Sequence, residues 1–315
     1  MQIMTDAVYH ARYVVCFSET IKDRALFLWP NLCPERLKVI SQAVETAPSQ
    51  FDLLSHLREE QPDLACLQSP DTLKLFLLVA GIRPVKNPTY LVSAFQEWHS
   101  REENVLLVVI GHRLNQEYVS KVFEPAVNKS PGVVYLPGLP MEDVHAALTQ
   151  ATALVNTSDS EGMCLSILEA MKLGLPVLAR DIPANCAIVS NGLTGLLFDS
   201  PQMFLEKAQL LLSSSDVRQT LVTNARRYVN DQHNMEKERH AYISLLQQCI
   251  AEVMGGAHLV QGAGSAECRG CGDNPRHEFC LAMSHKEVTT SSRSNDNKDL
   301  SRIRKEGATS SIKSD

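Results

Sequence analysis

Two glutamates, Glu161 and Glu169, stand with seven residues between them, and the residues around them dictate where each one falls. The run AALTQATALVNTS reads as a helix end followed by a buried strand, and residues 158–163 as a polar loop. Residues 165–172 read as a short helix stopped by Gly174 and Pro176, and residues 176–179 as a further strand. Glu161 therefore lies in a loop and Glu169 more than one turn into a helix. In such a strand–loop–helix unit the first helical N–H groups face the carboxyl end of the sheet and can hold an anion without a basic side chain. Carboxylates suit paired hydroxyls because each oxygen accepts charge-assisted hydrogen bonds. Two of them flanking an anion site fit an elongated phosphate-bearing ligand, and a sugar nucleotide has that shape. The competing reading is a pair of solvated acids.

A second block, LKLFLLVAGIRPVKNPTYLVSAFQEW, reads as an apolar strand, a turn opened by Gly81 that holds Arg83 and Lys86, and an amphipathic helix from about Pro88. Two cations in one turn attract a diphosphate, although basic residues in an exposed loop are often only solvated. The same alternation continues in ENVLLVVIGHR, GVVYLPGLP and MEDVHAALTQA, read as strand, strand with turn, and helix. Strands alternating with helices imply a parallel sheet. Continuous apolar runs imply that helices cover both of its faces. His145, in the last of these helices, is expected to be a surface or packing residue.

The stretches EGMCLSILEAMKLGLPVLA and NGLTGLLF resemble the signature region of retaining GT-B glycosyltransferases of the family 4 type, and residues 73–242 resemble the nucleotide-binding half of such an enzyme. The resemblance implies an α/β fold of the GT-B type, built from Rossmann-like domains with the reaction in the cleft between them. It implies a nucleotide diphosphate sugar as donor substrate, with no metal and no further cofactor. By resemblance Glu161 contacts the sugar, and Arg83 and Lys86 bind the diphosphate and assist its departure. Glu169 contacts the ribose. Gly81, Gly162, Met163, Cys164 and Leu165 line the donor, and the turn from Leu136 to Leu139 lies against the base. The chain departs from the family pattern twice: Arg83 and Lys86 are closer together than usual, and Met163 and Cys164 replace an aromatic residue and a glycine. Cys164 is expected to add a side chain beside the donor sugar. It has no neighbouring histidine in sequence to activate it as a nucleophile.

The segment RYVVCFSETIKDRALFLWPNLCPERLKVISQAV reads as strand, helix and strand, with Ser18 and Glu19 opening the helix. The resemblance casts residues 1–50 as the remnant of an acceptor-side domain, 51–72 as a linker and 73–254 as the nucleotide-sugar-binding domain. The front portion is expected to be truncated, which leaves two readings of different class. One is a hexose-transferring enzyme acting on an unknown acceptor. The other is a catalytically impaired nucleotide-sugar-binding or regulatory partner that associates with a full-length homologue. A sugar-nucleotide epimerase of the same architecture is a weaker third.

Composition adds bounds. The 315 residues, 44% hydrophobic, suffice for one large α/β core and part of a second domain. A net charge of −6 gives no electrostatic case for nucleic acid. No apolar stretch is long enough to span a bilayer, and nine scattered cysteines suit free thiols in a reducing cytoplasm. MEKERHAYISLLQQC reads as an amphipathic helix, which in the resembling family braces the first domain. Residues 255–315 are rich in Gly, Ser, Thr, Asn and mixed charge and are expected to be a disordered tail. Within it Cys268, Cys271, His277 and Cys280 have zinc-ligand chemistry, but the short His-to-Cys spacing favours unstructured cysteines.

Overall fold

Valine, leucine and isoleucine fill the central strand runs without alternation, and burial on both sides is the result. The computed structural model describes residues 2–258. The front portion comprises α1 (Gln2–His10), β1 (Val14–Cys16), α2 (Glu19–Leu28), β2 (Leu37–Val39) and α3 (Leu53–Glu60). β1 and β2 pair in parallel, Val14 opposite Leu37, with α2 as the crossover. Ser18 caps α2 by accepting from the Ile21 N–H at 3.2 Å, as its position ahead of the helix predicts.

The larger portion then runs β3 (Lys74–Val79), α4 (Val92–Arg101), β4 (Val105–Ile110) and α5 (Gln116–Tyr118), which passes through a π turn into α6 (Glu124–Val127). It continues with β5 (Val133–Leu136), α7 (Met141–Thr149), β6 (Ala153–Asn156), α8 (Leu165–Leu173), β7 (Val177–Arg180), α9 (Pro183–Cys186) and β8 (Leu196–Phe198). Three helices close the described chain: α10 (Pro201–Ser213), α11 (Ser215–Gln232) and α12 (Met235–His258). β3 to β8 form one six-stranded sheet in the order β5-β4-β3-β6-β7-β8, every pairing parallel.

Alternate residues of each strand feed different apolar layers. Leu75, Leu77, Leu106 and Val108 pack with α7, α8 and α11 on one face. Phe76, Leu78, Leu107 and Val109 pack with α4 and α10 on the other. There Phe76 meets Phe95 at 5.4 Å and Phe95 meets Phe204 at 5.3 Å between ring centroids. Each such ring contributes roughly 1.5–3 kcal/mol by leaving water.

Two elements differ from the sequence expectation. The helix expected from about Pro88 begins at Val92, because Asn87 adopts the left-handed conformation at φ 43° and residues 88–91 complete turns before helical geometry sets in. Residues 51–72, expected as a linker, carry α3 and bury Leu53, Leu57 and Leu67 in the same layer as β3. α12 packs Leu245 and Ala241 against Tyr13, Val15 and Ile40 of the front portion, and Gln248 Nε2 donates to the Tyr13 hydroxyl at 2.8 Å. The amphipathic pattern implied the helix, and the family resemblance implied that it would brace the front of the chain. Residues 259–315 lie outside the described residues, and with them the expected tail and the candidate zinc set Cys268, Cys271, His277 and Cys280.

Candidate functional site

The strand order reverses between β3 and β6: β4 and β5 extend the sheet one way, β7 and β8 the other. Because β3 and β6 are parallel neighbours, Leu77 opposite Leu154, the loops leaving their carboxyl ends are adjacent. In open α/β sheets that reversal is where ligands bind, since the connecting helices diverge and leave a crevice. The loop after β3 carries Gly81, Arg83 and Lys86. The loop after β6 carries Glu161 and Gly162.

The two loops are joined by an ion pair. Lys86 Nζ donates to both oxygens of Glu161, each at 2.7 Å, with side chains only 12% and 1% exposed. Glu161 Oε1 also accepts from the Ser158 hydroxyl at 2.6 Å and from Asn156 Nδ2 at 3.4 Å. Asn156 is itself held by Asn185 Nδ2 at 2.9 Å. Oε1 is thereby saturated, while Oε2 accepts from Lys86 and keeps a lone pair. An ammonium has three N–H groups, so Lys86 retains one donor for a further ligand.

Further contacts stitch the loops. The Asp159 N–H donates to the Val85 carbonyl at 2.9 Å, and the Thr157 hydroxyl to the Lys86 carbonyl at 3.0 Å. Asn87 Nδ2 donates to Asp159 at 3.2 Å, and Arg180 pairs with the same carboxylate. The Arg180 guanidinium also lies 4.3 Å from the centroid of the Tyr90 ring, a favourable stack. Arg83 is half-buried at the head of the 3₁₀ turn Pro84–Lys86. Gly111 abuts this region: a Cβ there would lie 1.8 Å from the Ala80 carbonyl oxygen, so only glycine lets β4 end against the β3 loop.

Cys164 is the N-cap of α8 and makes no side-chain cap to the helix. The amino-terminal N–H groups and the helix dipole are therefore available to an anion at the end of the crevice. Leu165 opens the helix, and Gly174 closes it at φ 82°, with the Leu175 N–H returning to the Ala170 carbonyl at 2.8 Å. Met163 and Cys164 are 3% and 5% exposed and belong to the apolar layer. The Cys164 thiol lies 3.2 Å from Asn156 Nδ2 and 3.3 Å from the Ser166 hydroxyl. Burial pushes it up to about 11, which leaves it a space-filling thiol rather than a nucleophile. Its side chain turns inward to these two partners. Leu136, at the end of β5, is also core, 1% exposed.

Glu169 does not meet Glu161 in a hydrogen bond. It is buried on α8 and faces α7, where His145 Nε2 lies 3.9 Å from Oε1. Burial raises the Glu169 carboxyl above its ordinary value, and the neighbouring imidazole pulls it back down. The sequence reading put His145 at the surface or in packing. Its signal was present in VHAAL, a run in which Val144, His145, Ala146, Ala147 and Leu148 are all buried, since an imidazole inside such a run needs a polar partner. Among the described residues no group of three or more His, Cys, Asp or Glu side chains could hold a metal ion, and no helix is long and apolar enough to cross a membrane.

Residues 61–228 match the family model described as "Glycosyl transferases group 1". The chain is 37% identical over 246 residues to "Glycosyltransferase 1 domain-containing protein 1" of Xenopus tropicalis, covering 78% of this chain and 70% of that protein. It is 25% identical to a D-inositol 3-phosphate glycosyltransferase of Jonesia denitrificans, over 62% of this chain and 47% of the other. Among solved structures, Anabaena HepE in complex with UDP-glucose superposes with a TM-score of 0.64 at 18% identity, over 78% of this chain and 67% of that one. The chain thus spans only part of the length of the proteins it matches.

Proposed function

Because the chain belongs to the glycosyl transferases group 1 family and has its GT-B fold, we propose that it binds a nucleotide diphosphate sugar in the β3/β6 crevice and transfers the hexose, with retention, to an acceptor. The observation that carries this reading is the Lys86–Glu161 pair, which ties the two loops at the point of strand-order reversal and leaves one donor and one acceptor position open. Lys86 directs its remaining N–H to the diphosphate, alongside Arg83 and the α8 amino terminus. Glu161 Oε2 accepts a sugar hydroxyl, and Glu169 accepts the ribose hydroxyls. When the bond from the anomeric carbon to the diphosphate breaks, its electron pair moves onto phosphate oxygen, the acceptor's hydroxyl oxygen bonds the anomeric carbon, and the hydroxyl proton passes to the departing diphosphate. The two cations and the helix dipole stabilise that charge where it develops. No metal is required by this arrangement. The six described cysteines are all free thiols, which suits a cytoplasmic setting.

The test is calorimetric titration of UDP, GDP and their hexose conjugates into the chain and into Arg83→Ala and Glu169→Ala. Binding by the parent that both variants lose supports the donor site. A folded parent that binds none of these ligands overturns it. Binding without transfer to any offered acceptor supports the second reading, a nucleotide-sugar-binding partner of a longer homologue.

A further inference from the structure

Residues 41–51 contain no helix or strand, yet groups of the larger portion hold them along most of their length. Glu238 accepts from the Ala43 N–H at 3.0 Å, His233 bonds the Gln42 carbonyl at 2.8 Å, and Lys172 donates to the Val44 carbonyl at 2.6 Å. Ser49 donates to Asp143 at 2.6 Å, and Gln150 to the Phe51 carbonyl at 2.7 Å. His145 makes one further contact in this series: its Nδ1 accepts from the Ala47 N–H at 3.1 Å.

That bond decides the tautomer. An imidazole nitrogen that accepts from a backbone N–H carries no proton, so the hydrogen of neutral His145 sits on Nε2. Nε2 is buried and has no hydrogen-bond partner among the described residues. It faces Glu169 Oε1 across 3.9 Å, beyond hydrogen-bond range. A buried donor left unmade costs free energy, and the Glu169 carboxylate, 3.9 Å away, is a group able to accept it. Several charged groups on α8 and on the elements packed against it are engaged elsewhere. On its own helix Lys172 serves Val44 and Glu45, and on α11 Arg226 serves the Leu173 carbonyl. On α7 Asp143 serves Ser49. In the β6 loop Glu161 is held by Lys86. Among the described residues His145 is the one side chain that acts on the Glu169 carboxyl, opposing the effect of burial.

We infer that His145 is a positioning residue for donor binding: anchored by the Ala47 backbone, its Nε2–H orients the Glu169 carboxylate toward the ribose hydroxyls, so that the seating of residues 41–51 is felt at the nucleotide. The inference rests on the proposed donor site. Donor entry closes the gap, since the terminal carboxylate torsion of a glutamate is soft. The carboxylate then accepts from the imidazole on one side and from the ribose on the other.

Two variants separate positioning from simple packing. His145→Asn keeps an acceptor for the Ala47 N–H but has no atom at the Nε2 position. His145→Gln keeps a donor there and gives up the Ala47 contact. Each is titrated with UDP and 2′-deoxyuridine diphosphate, or the guanosine pair if the parent prefers GDP, from pH 6 to pH 8, with thermal unfolding alongside. His145→Asn is expected to unfold within a few degrees of the parent yet bind the ribonucleotide about ten-fold more weakly, one charge-assisted hydrogen bond in size. It is expected to lose most of the discrimination against the 2′-deoxy analogue, and its binding is expected to fall more steeply as pH drops. His145→Gln is expected to restore discrimination. If His145→Asn binds and discriminates like the parent, the imidazole only holds Ala47 and the inference is overturned while the donor site stands. If the parent binds neither nucleotide, both fall together.

Discussion

Lys86 Nζ lies 2.7 Å from both carboxylate oxygens of Glu161, so a residue after β3 and a residue after β6 share one charge-paired centre. With both side chains almost fully buried, the pair is a constraint on loop geometry as much as a ligand set. Removing one partner strands the other in a dry environment. Lys86→Ala is expected to destabilise by about 3 kcal/mol in urea unfolding, within the range for breaking a buried pair. The double variant Lys86→Met with Glu161→Gln is expected to recover about half of that, because neither charge is then left alone. Equal stability of the single and double variants would contradict the coupling.

Asp159 differs, because its side chain is 48% exposed and its partners are Arg180 and Asn87. Exposed pairs contribute little to stability. Asp159→Ala is expected to change unfolding by less than about 1 kcal/mol. It is expected to weaken nucleotide binding several-fold, since the β3 loop loses the contact that holds Asn87 in its left-handed conformation. Calorimetry and urea unfolding on the same sample check both halves.

Glu169 sets function against stability. Its folded-state pKa is raised by burial above the ordinary 4.5, so its contribution to stability is present while it is protonated. That contribution is lost as pH rises through the folded value. Above that value the ionised, buried carboxylate is a net burden on the fold. Glu169→Gln is expected to raise the unfolding temperature or leave it unchanged while removing ribonucleotide binding. A variant that both unfolds earlier and still binds contradicts this assignment.

His233 responds to acid in the opposite sense. Burial lowers its pKa below the ordinary 6.5, and its Nδ1 is within 2.8 Å of the Gln42 carbonyl. The unfolded chain therefore takes up the proton more readily. Stability from this group is complete above about pH 6.5 and declines as pH falls below it. Between pH 7 and pH 5.5 the parent is expected to lose stability more steeply than His233→Asn, whose amide N–H can still donate to Gln42. Because Glu169 pulls the other way, the difference between the two slopes, from thermal unfolding, is the informative quantity.

The strand–loop–helix unit around the two glutamates was legible because its signals are local: an apolar strand, a polar loop, a nine-residue helix and a glycine at its end. The parallel sheet followed from unbroken apolar runs such as β4, all six residues of which are buried. What the sequence concealed was pairing across distance. Lys86 and Glu161 are separate motif members in the chain and become one ion pair only because β3 and β6 are neighbours. His145 and Glu169 meet only because α7 and α8 pack on the same face. Cys164 was expected beside the sugar because a side chain replaces a glycine there. Its rotamer, which no spacing encodes, sends the thiol inward to Asn156 and Ser166. The ordered contacts of residues 41–51 carry no pattern at all, being made largely through backbone groups.

The most direct measurement of the central claim is a crystal structure of the chain with UDP-glucose or the nucleotide sugar that calorimetry selects. The diphosphate is expected between Arg83, Lys86 and the amino terminus of α8, the ribose hydroxyls on Glu169, and the hexose against Glu161 Oε2. A nucleotide bound elsewhere, or one in this crevice that leaves Glu169 untouched and the Lys86–Glu161 pair facing only solvent, would contradict it.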